Sequence, residues 1–530
     1  MPFLGLNSLL ARYSIAGAAL LVVLGTAPSA MAKLDENQLN VFGLDPKYNG
    51  KGSEELEKAW KSLQEGNGDR AFELLKNAKS EDKALPPARV LLARMLFAAN
   101  QPQLINLARQ TLEKAAADPD DSKSPEVPLL FGNLAVAEGR LSDAELQYTK
   151  ALSQAPMVFS PNPKDPAFQR FQRQVYAGLT SVYEARQDWL KAKQSAMSWL
   201  EAAQNDKSQQ AAAESRLGRS AFLSGDREAA RDHFEKAYGD DSKIEYPLIS
   251  LGLMASQANE PDKKPTAEEY FDEALAAADS GKVKDSKTVA AIHAQVSQWM
   301  LLNSKTEEAA KQAVKAMNAD PNSDAFKRLC GLIALYQKNY PEAERLFSEM
   351  YNKNPADFGA SNSLALALIE DNGKDATAKH DRAVSIAEVN ARANPRSVEA
   401  AATLGWIYFK QKRMAEAEQA LKAALSVGQA SSDTAYYYAN VLIAANRFDD
   451  AIKVLQQALA VTGPFAHRRD AEELLHRYRP DIDIQSLKQE KVSATTSGKS
   501  SSSTTDEEEK SESSKPSKPT PVPGKSSSGK

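Results

Sequence analysis

Apolar residues recur along this chain at helical spacing, in short runs that break and restart. Between Asp324 and Asp357, Leu329, Cys330, Ile333 and Ala334 make one apolar face. The run breaks at Asn339 and Tyr340, and Pro341 suits the first turn of a new helix, where its missing N–H is not needed. Ala343, Leu346, Phe347 and Met350 make the face of that second helix. Asn354-Pro355 ends it, because proline disfavours helical geometry in the residue before it. The pattern predicts a hairpin of two helices, with the small residues Gly331 and Ala343 where their backbones come close. It then repeats. Ala309 and Ala343, Pro321 and Pro355, and Ala383, Ala417 and Ala451 step by 34 residues (343 − 309, 355 − 321, 417 − 383, 451 − 417). A fixed period of this size predicts stacked hairpins, each touching mainly its neighbours.

The fullest copy of the unit is Leu404-Gly405 with Tyr408, Ala417, Leu421 and Ala424. Leu217-Gly218 with Ala230, Phe234 and Ala237 is another, as is Gly132 with Ala144, Tyr148, Ala151 and Pro156. This spacing resembles the tetratricopeptide repeat family, whose unit runs roughly Trp, Leu-Gly, Tyr, Ala, Phe, Ala, Pro. Ala401 and Glu214 stand at the tryptophan position of two of these copies. The resemblance covers most of residues 52 to 465, in about eleven units. It implies an all-α fold, a right-handed superhelical solenoid of helix–turn–helix hairpins. It also implies that the first helix of each hairpin lines a concave groove that holds a peptide or protein.

On those first helices the resemblance nominates Asn362, Leu366 and Ile369, then Trp406 and Phe409, then Tyr436 and Asn440, as exposed partner-binding positions. Trp406 and Phe409 lie one turn apart, as do Tyr436 and Asn440, which gives an aromatic strip with an amide beside it. Some family members clamp a peptide's terminal carboxylate with Lys, Arg and Asn residues. Arg328, Asn362 and Asn440 are the nearest counterparts here, and they do not reproduce that set. An aromatic stripe at helical spacing also fits core packing. Replacing Trp406 and Tyr436 by alanine separates the two: a binding strip predicts lost capture with melting nearly unchanged.

The two ends read differently. Arg12 precedes the apolar run Ile15 to Gly25, and Ala30-Met31-Ala32 follows. That arrangement predicts a secretory signal over residues 1–32, cut after Ala32, with an uncleaved anchor as the alternative. It places the protein in the periplasm, in the envelope or outside a bacterial cell. Residues 33–51 read as an irregular lead-in. Pro161, Pro163 and Pro166 break helical geometry in an insertion from Phe159 to Arg170. Ala471, Leu474 and Leu475 make one apolar face on a capping helix within 466–480, ended by Pro480. Residues 481–530, rich in Ser, Lys, Glu and Pro, are expected to be disordered.

Composition narrows the chemistry. Charged residues are 26% and aromatics 7%, with a net charge of −4, so no basic surface for nucleic acid is indicated. Cys330 is the only cysteine, which leaves no internal disulfide. The five histidines are scattered, and no H-E-x-x-H, C-x-x-C, G-x-S-x-G, P-loop or G-x-G-x-x-G pattern occurs. Asp118, Asp120 and Asp121 lack the spaced glycine and terminal glutamate of a calcium loop and read as turn carboxylates. No catalytic, cofactor or metal residue is predicted. The sequence reads as a non-catalytic scaffold or adaptor for proteins or peptides, touching a membrane only if its signal is retained. A structural subunit of an envelope assembly or secretion complex is the alternative, and an enzyme without a recognisable motif ranks third.

Overall fold

In a computed structural model, the structure describes residues 50–487, apart from 99–100, 160–164, 205, 261, 374, 427–429, 462 and 485. The signal expected over 1–32 lies outside the described residues, as do 33–49 of the lead-in and 488–530 of the tail. The described residues are all-helical. The first hairpins are α1 (Ser53–Gln64) with α2 (Gly68–Glu81), α3 (Ala88–Ala98) with α4 (Pro102–Ala117), and α5 (Glu126–Ala137) with α6 (Leu141–Gln154). Next come α7 (Pro166–Ala185) with α8 (Trp189–Ala203), α9 (Lys207–Leu223) with α10 (Arg227–Asp240), and α11 (Pro247–Ala258) with α12 (Ala267–Asp279). They are followed by α13 (Ser286–Leu302) with α14 (Thr306–Ala319), α15 (Asp324–Tyr336) with α16 (Tyr340–Lys353), and α17 (Phe358–Glu370) with α18 (Ala376–Ala393). The last are α19 (Val398–Lys410) with α20 (Met414–Ser426), α21 (Ser432–Ala444) with α22 (Phe448–Leu459), and the closing helix α23 (Arg468–Tyr478).

The chain divides into two compact units, one up to residue 367 and one from residue 368. Within the first, each helix packs on the next from α1 through α16. Within the second, the same succession runs from α18 through α23. First helices also touch the first helix of the following hairpin, as α5 does α7 and α19 does α21.

Local chemistry sets the joints. Asn67, Asp188, Asp226 and Asn339 each cap a second helix by accepting the amide hydrogen of Arg70, Lys191, Ala229 and Glu342. The turn between the helices of a hairpin needs one residue in the left-handed region. Ser304 and Lys338 fill it at φ 61° and 57°, and Lys412 and Asn446 at 61° and 59°. Each of these pairs is again 34 residues apart (338 − 304 and 446 − 412).

The small residues act as the period implies, with one change. The close approach at Gly331 is to a ring rather than to a backbone: a Cβ there would lie 2.8 Å from Cζ of Phe347, which is fully buried on α16. Gly252 and Phe271 repeat the arrangement, with a would-be Cβ at 2.6 Å. Gly331→Ala should therefore cost about 1–3 kcal/mol through displacement of a packed ring. The measurement is the urea midpoint; an unmoved midpoint would mean that the ring swings aside freely.

Two sequence boundaries are corrected. The insertion does not extend to Arg170, because Pro166 opens α7 at its first turn and Asp165 caps it through the Ala167 amide at 2.8 Å. The disordered tail does not begin at residue 481. Ile482, Ile484 and Leu487 pack against the core of α21, α22 and α23, since three apolar side chains in six residues have surface to bury.

Candidate functional site

The nominated residues separate by burial. Asn362, Leu366 and Ile369 are buried, so the expectation that they are exposed is corrected. Apolar side chains on α17 are covered along most of its length, and helical periodicity gives direction without depth. Among the described residues, neither amide atom of Asn362 has a hydrogen-bond partner. Arg328 on α15 is committed internally: its Nη2 donates to Asp357 Oδ2 at 2.6 Å, and Asp357 also accepts the Ala360 amide at 3.0 Å. Burial alone would push the Asp357 carboxyl up, but Arg328 and the α17 amides outweigh it and hold the group below the usual carboxylate range.

The structure gathers the remaining four in the unit from residue 368. Trp406 on α19 is 4% exposed, so its expected exposure is also corrected. Its indole stacks on Tyr437 at 4.4 Å and on Phe409 at 5.3 Å, both with rings 17° apart. Tyr436 lies 5.9 Å away on α21. The indole N–H donates to Glu370 Oε1 at 2.5 Å, while Lys410 Nζ meets the other oxygen at 3.0 Å and lies over the indole face at 5.4 Å. Phe409, Tyr436 and Asn440 remain half-buried and carry the accessible edge of this stack. The Asn440 amide N–H donates to the carbonyl oxygen of Tyr436 at 2.8 Å, and its own oxygen takes no part in that bond. Burial, with Asp470 nearby, pushes the Tyr436 phenol up to about 12, so the hydroxyl stays protonated and able to donate.

Sequence reasoning missed the parts that hold the stack in place. His467, just before α23, stacks on Tyr436 at 4.9 Å with rings 12° apart. Its Nδ1 lies 2.7 Å from Asp433 Oδ1, and that carboxylate also accepts the His467 and Ala466 amides at 3.1 and 3.3 Å. Asp433 is fully buried. One signal was available: His467 and Asp433 are 34 residues apart, the repeat period itself. Glu370 and Tyr437 carried no such mark.

Elsewhere the turn carboxylates are structural. Arg89 pairs with Asp118 at 3.0 Å and Asp121 at 2.6 Å. Among the described residues, no three His, Cys, Asp or Glu side chains gather in a way that could hold a metal ion, and no helix is long and apolar enough to cross a membrane.

Comparison with known proteins adds the following. Residues 376–458 match the family described as anaphase-promoting complex, cyclosome, subunit 3. No curated protein sequence matches the chain. Among solved structures, the chain is similar to yeast Tom70 at 14% identity, covering 85% of this chain and 99% of that one, with a TM-score of 0.31. It is similar to a tetratricopeptide repeat protein of Parabacteroides merdae at 13% identity, covering 58% and 98%, with a TM-score of 0.33. A thermophilic repeat protein of Thermus thermophilus is similar at 15% identity, covering 36% and 98%, with a TM-score of 0.31. The chain is thus an all-α array of two-helix units with glycine-against-ring contacts, similar in its repeat to the tetratricopeptide proteins, and residues 376–458 within it match a family model.

Proposed function

We propose that this protein is a non-catalytic scaffold that holds a peptide or protein segment against the first helices of its hairpins, in the cell envelope. The apolar run at 15–25 followed by Ala30-Met31-Ala32 supports the envelope location. One observation carries the binding reading: Phe409, Tyr436 and Asn440 present half-buried edges on a rigid stack whose base, Trp406, is buried and hydrogen-bonded. Aromatic edges beside an amide oxygen offer apolar contact and an acceptor for a peptide N–H. The rigid backing limits the ordering cost of binding.

A random-sequence peptide library selected on the full chain tests this. Enriched peptides should lose about tenfold in affinity, about 1.4 kcal/mol, on Phe409→Ala with Asn440→Ala. The far-ultraviolet circular dichroism of the variant should stay unchanged. Failure to enrich any peptide, or enriched peptides indifferent to both changes, would end this reading.

A further inference from the structure

Carboxylates recur at the contacts between first helices of successive hairpins, and at four of these contacts a cation of this chain answers. Glu126 on α5 meets Arg94 on α3 at 2.9 Å. Glu184 on α7 pairs with Arg216 on α9. Asp357, at the start of α17, meets Arg328 on α15 at 2.6 Å. Glu370 at the end of α17 meets Lys410 on α19 at 3.0 Å. The pattern follows from electrostatics: a carboxylate half-removed from water needs a positive partner or strong donors.

Glu245 occupies the same kind of position and breaks the pattern. It stands just before α11. Its Oε2 accepts from the Ser250 hydroxyl at 2.6 Å, and its Oε1 accepts from the Gln295 amide on α13 at 2.8 Å. Among the described residues no Arg, Lys or His pairs with it. Burial accordingly pushes its carboxyl up, with only the two neutral donors opposing. Glu245, Ser250 and Gln295 all retain part of their surface. A carboxylate has about four lone-pair sites, and two of these are used.

From this geometry we infer that Glu245, with Ser250 and Gln295 orienting it, receives the Lys or Arg side chain of a bound peptide segment. The inference rests on the reading of the chain as a peptide-holding scaffold and adds the charge of its partner. The incoming cation supplies what Arg94, Arg216, Arg328 and Lys410 supply at the neighbouring contacts. A guanidinium can use both remaining lone-pair directions at once.

The test is a double-mutant cycle on peptides enriched from the random-sequence library by the full chain. Glu245→Gln keeps the shape and removes the charge, and an Arg→citrulline or Lys→norleucine change does the same in the peptide. Each change alone should weaken binding about tenfold, and both together should weaken it little further. Enriched peptides without a shared Lys or Arg, or a cycle with less than about twofold coupling, would overturn this inference. The scaffold reading would then survive if peptides enriched by the full chain still respond to Phe409→Ala with Asn440→Ala. A selection that enriches nothing removes both. Glu245→Gln relieves a charge without a counter-ion, so the variant folds, and its melting temperature serves as the control.

Discussion

Trp406→Ala lowers the stability of the unit from residue 368 by about 3–5 kcal/mol, the range for truncating a large buried aromatic. This reverses the expectation implied by the family resemblance, in which the residue could be removed with melting nearly unchanged. The indole is 4% exposed and stacks on two rings, so alanine leaves a cavity beneath Tyr437 and Phe409. It also removes the N–H that Glu370 accepts. Lys410 still holds that carboxylate, which keeps the loss within the range for a cavity. Hydrogen exchange separates this local loss from the rest of the molecule. Amides of α19 and α21 should gain exchange by two or more decades, roughly 1.4 kcal/mol for each decade. Amides of α3 and α5 should not change. A variant whose α19 amides stay protected would show that the stack is not a core, and the strip would revert to a wholly exposed one. The experiment also explains why Phe409 and Asn440, rather than Trp406, are the residues with which to test binding. Loss of capture in a Trp406 variant would report a damaged scaffold.

The fold was legible because its signal is redundant. A helix pair repeated every 34 residues writes the same small and apolar positions many times, and no single substitution, such as Ala401 at the tryptophan position, erases them. The candidate site was legible only as a list of directions. Periodicity put Trp406, Tyr436 and Asn440 on first helices, but it could not tell which side chains the next first helix covers. That depends on neighbours 31 to 36 residues away, such as Tyr437 and Glu370, whose identities vary from unit to unit. Asn362, Leu366 and Ile369 were misjudged for the same reason: they sit on one helix face as predicted, and that face is covered. Glu245 was invisible for a different reason. Its significance lies in the missing cation, and a missing partner is recognised only after its counterparts Glu126, Glu184, Asp357 and Glu370 are seen with theirs.

Asp433→Ala should be comparably damaging, at about 3–5 kcal/mol, because it deletes one partner of a buried, hydrogen-bonded pair and leaves the other without an acceptor. Three bonds end on this carboxylate, from the Ala466 amide, the His467 amide and the His467 ring. All three come from the segment that leads into α23, so the loss should appear first as opening of that helix. Amides of α23 should exchange faster in the variant while those of α16 stay as they are. The pair also sets a dependence on acid. Burial alone would push the Asp433 carboxyl up from its ordinary 3.8, but the His467 ring and amide outweigh it and hold the group lower. Between the folded value and 3.8 the unfolded chain binds more protons than the folded one, so stability rises with pH across that window. The contribution is complete above 3.8 and fades as pH falls through the folded value. The stability gap between wild type and Asp433→Asn should therefore shrink in strong acid. A gap that widens on acidification, or α23 amides indifferent to the loss of Asp433, would mean that the closing helix is held by its apolar packing around Ala471 and Leu475 rather than by this carboxylate.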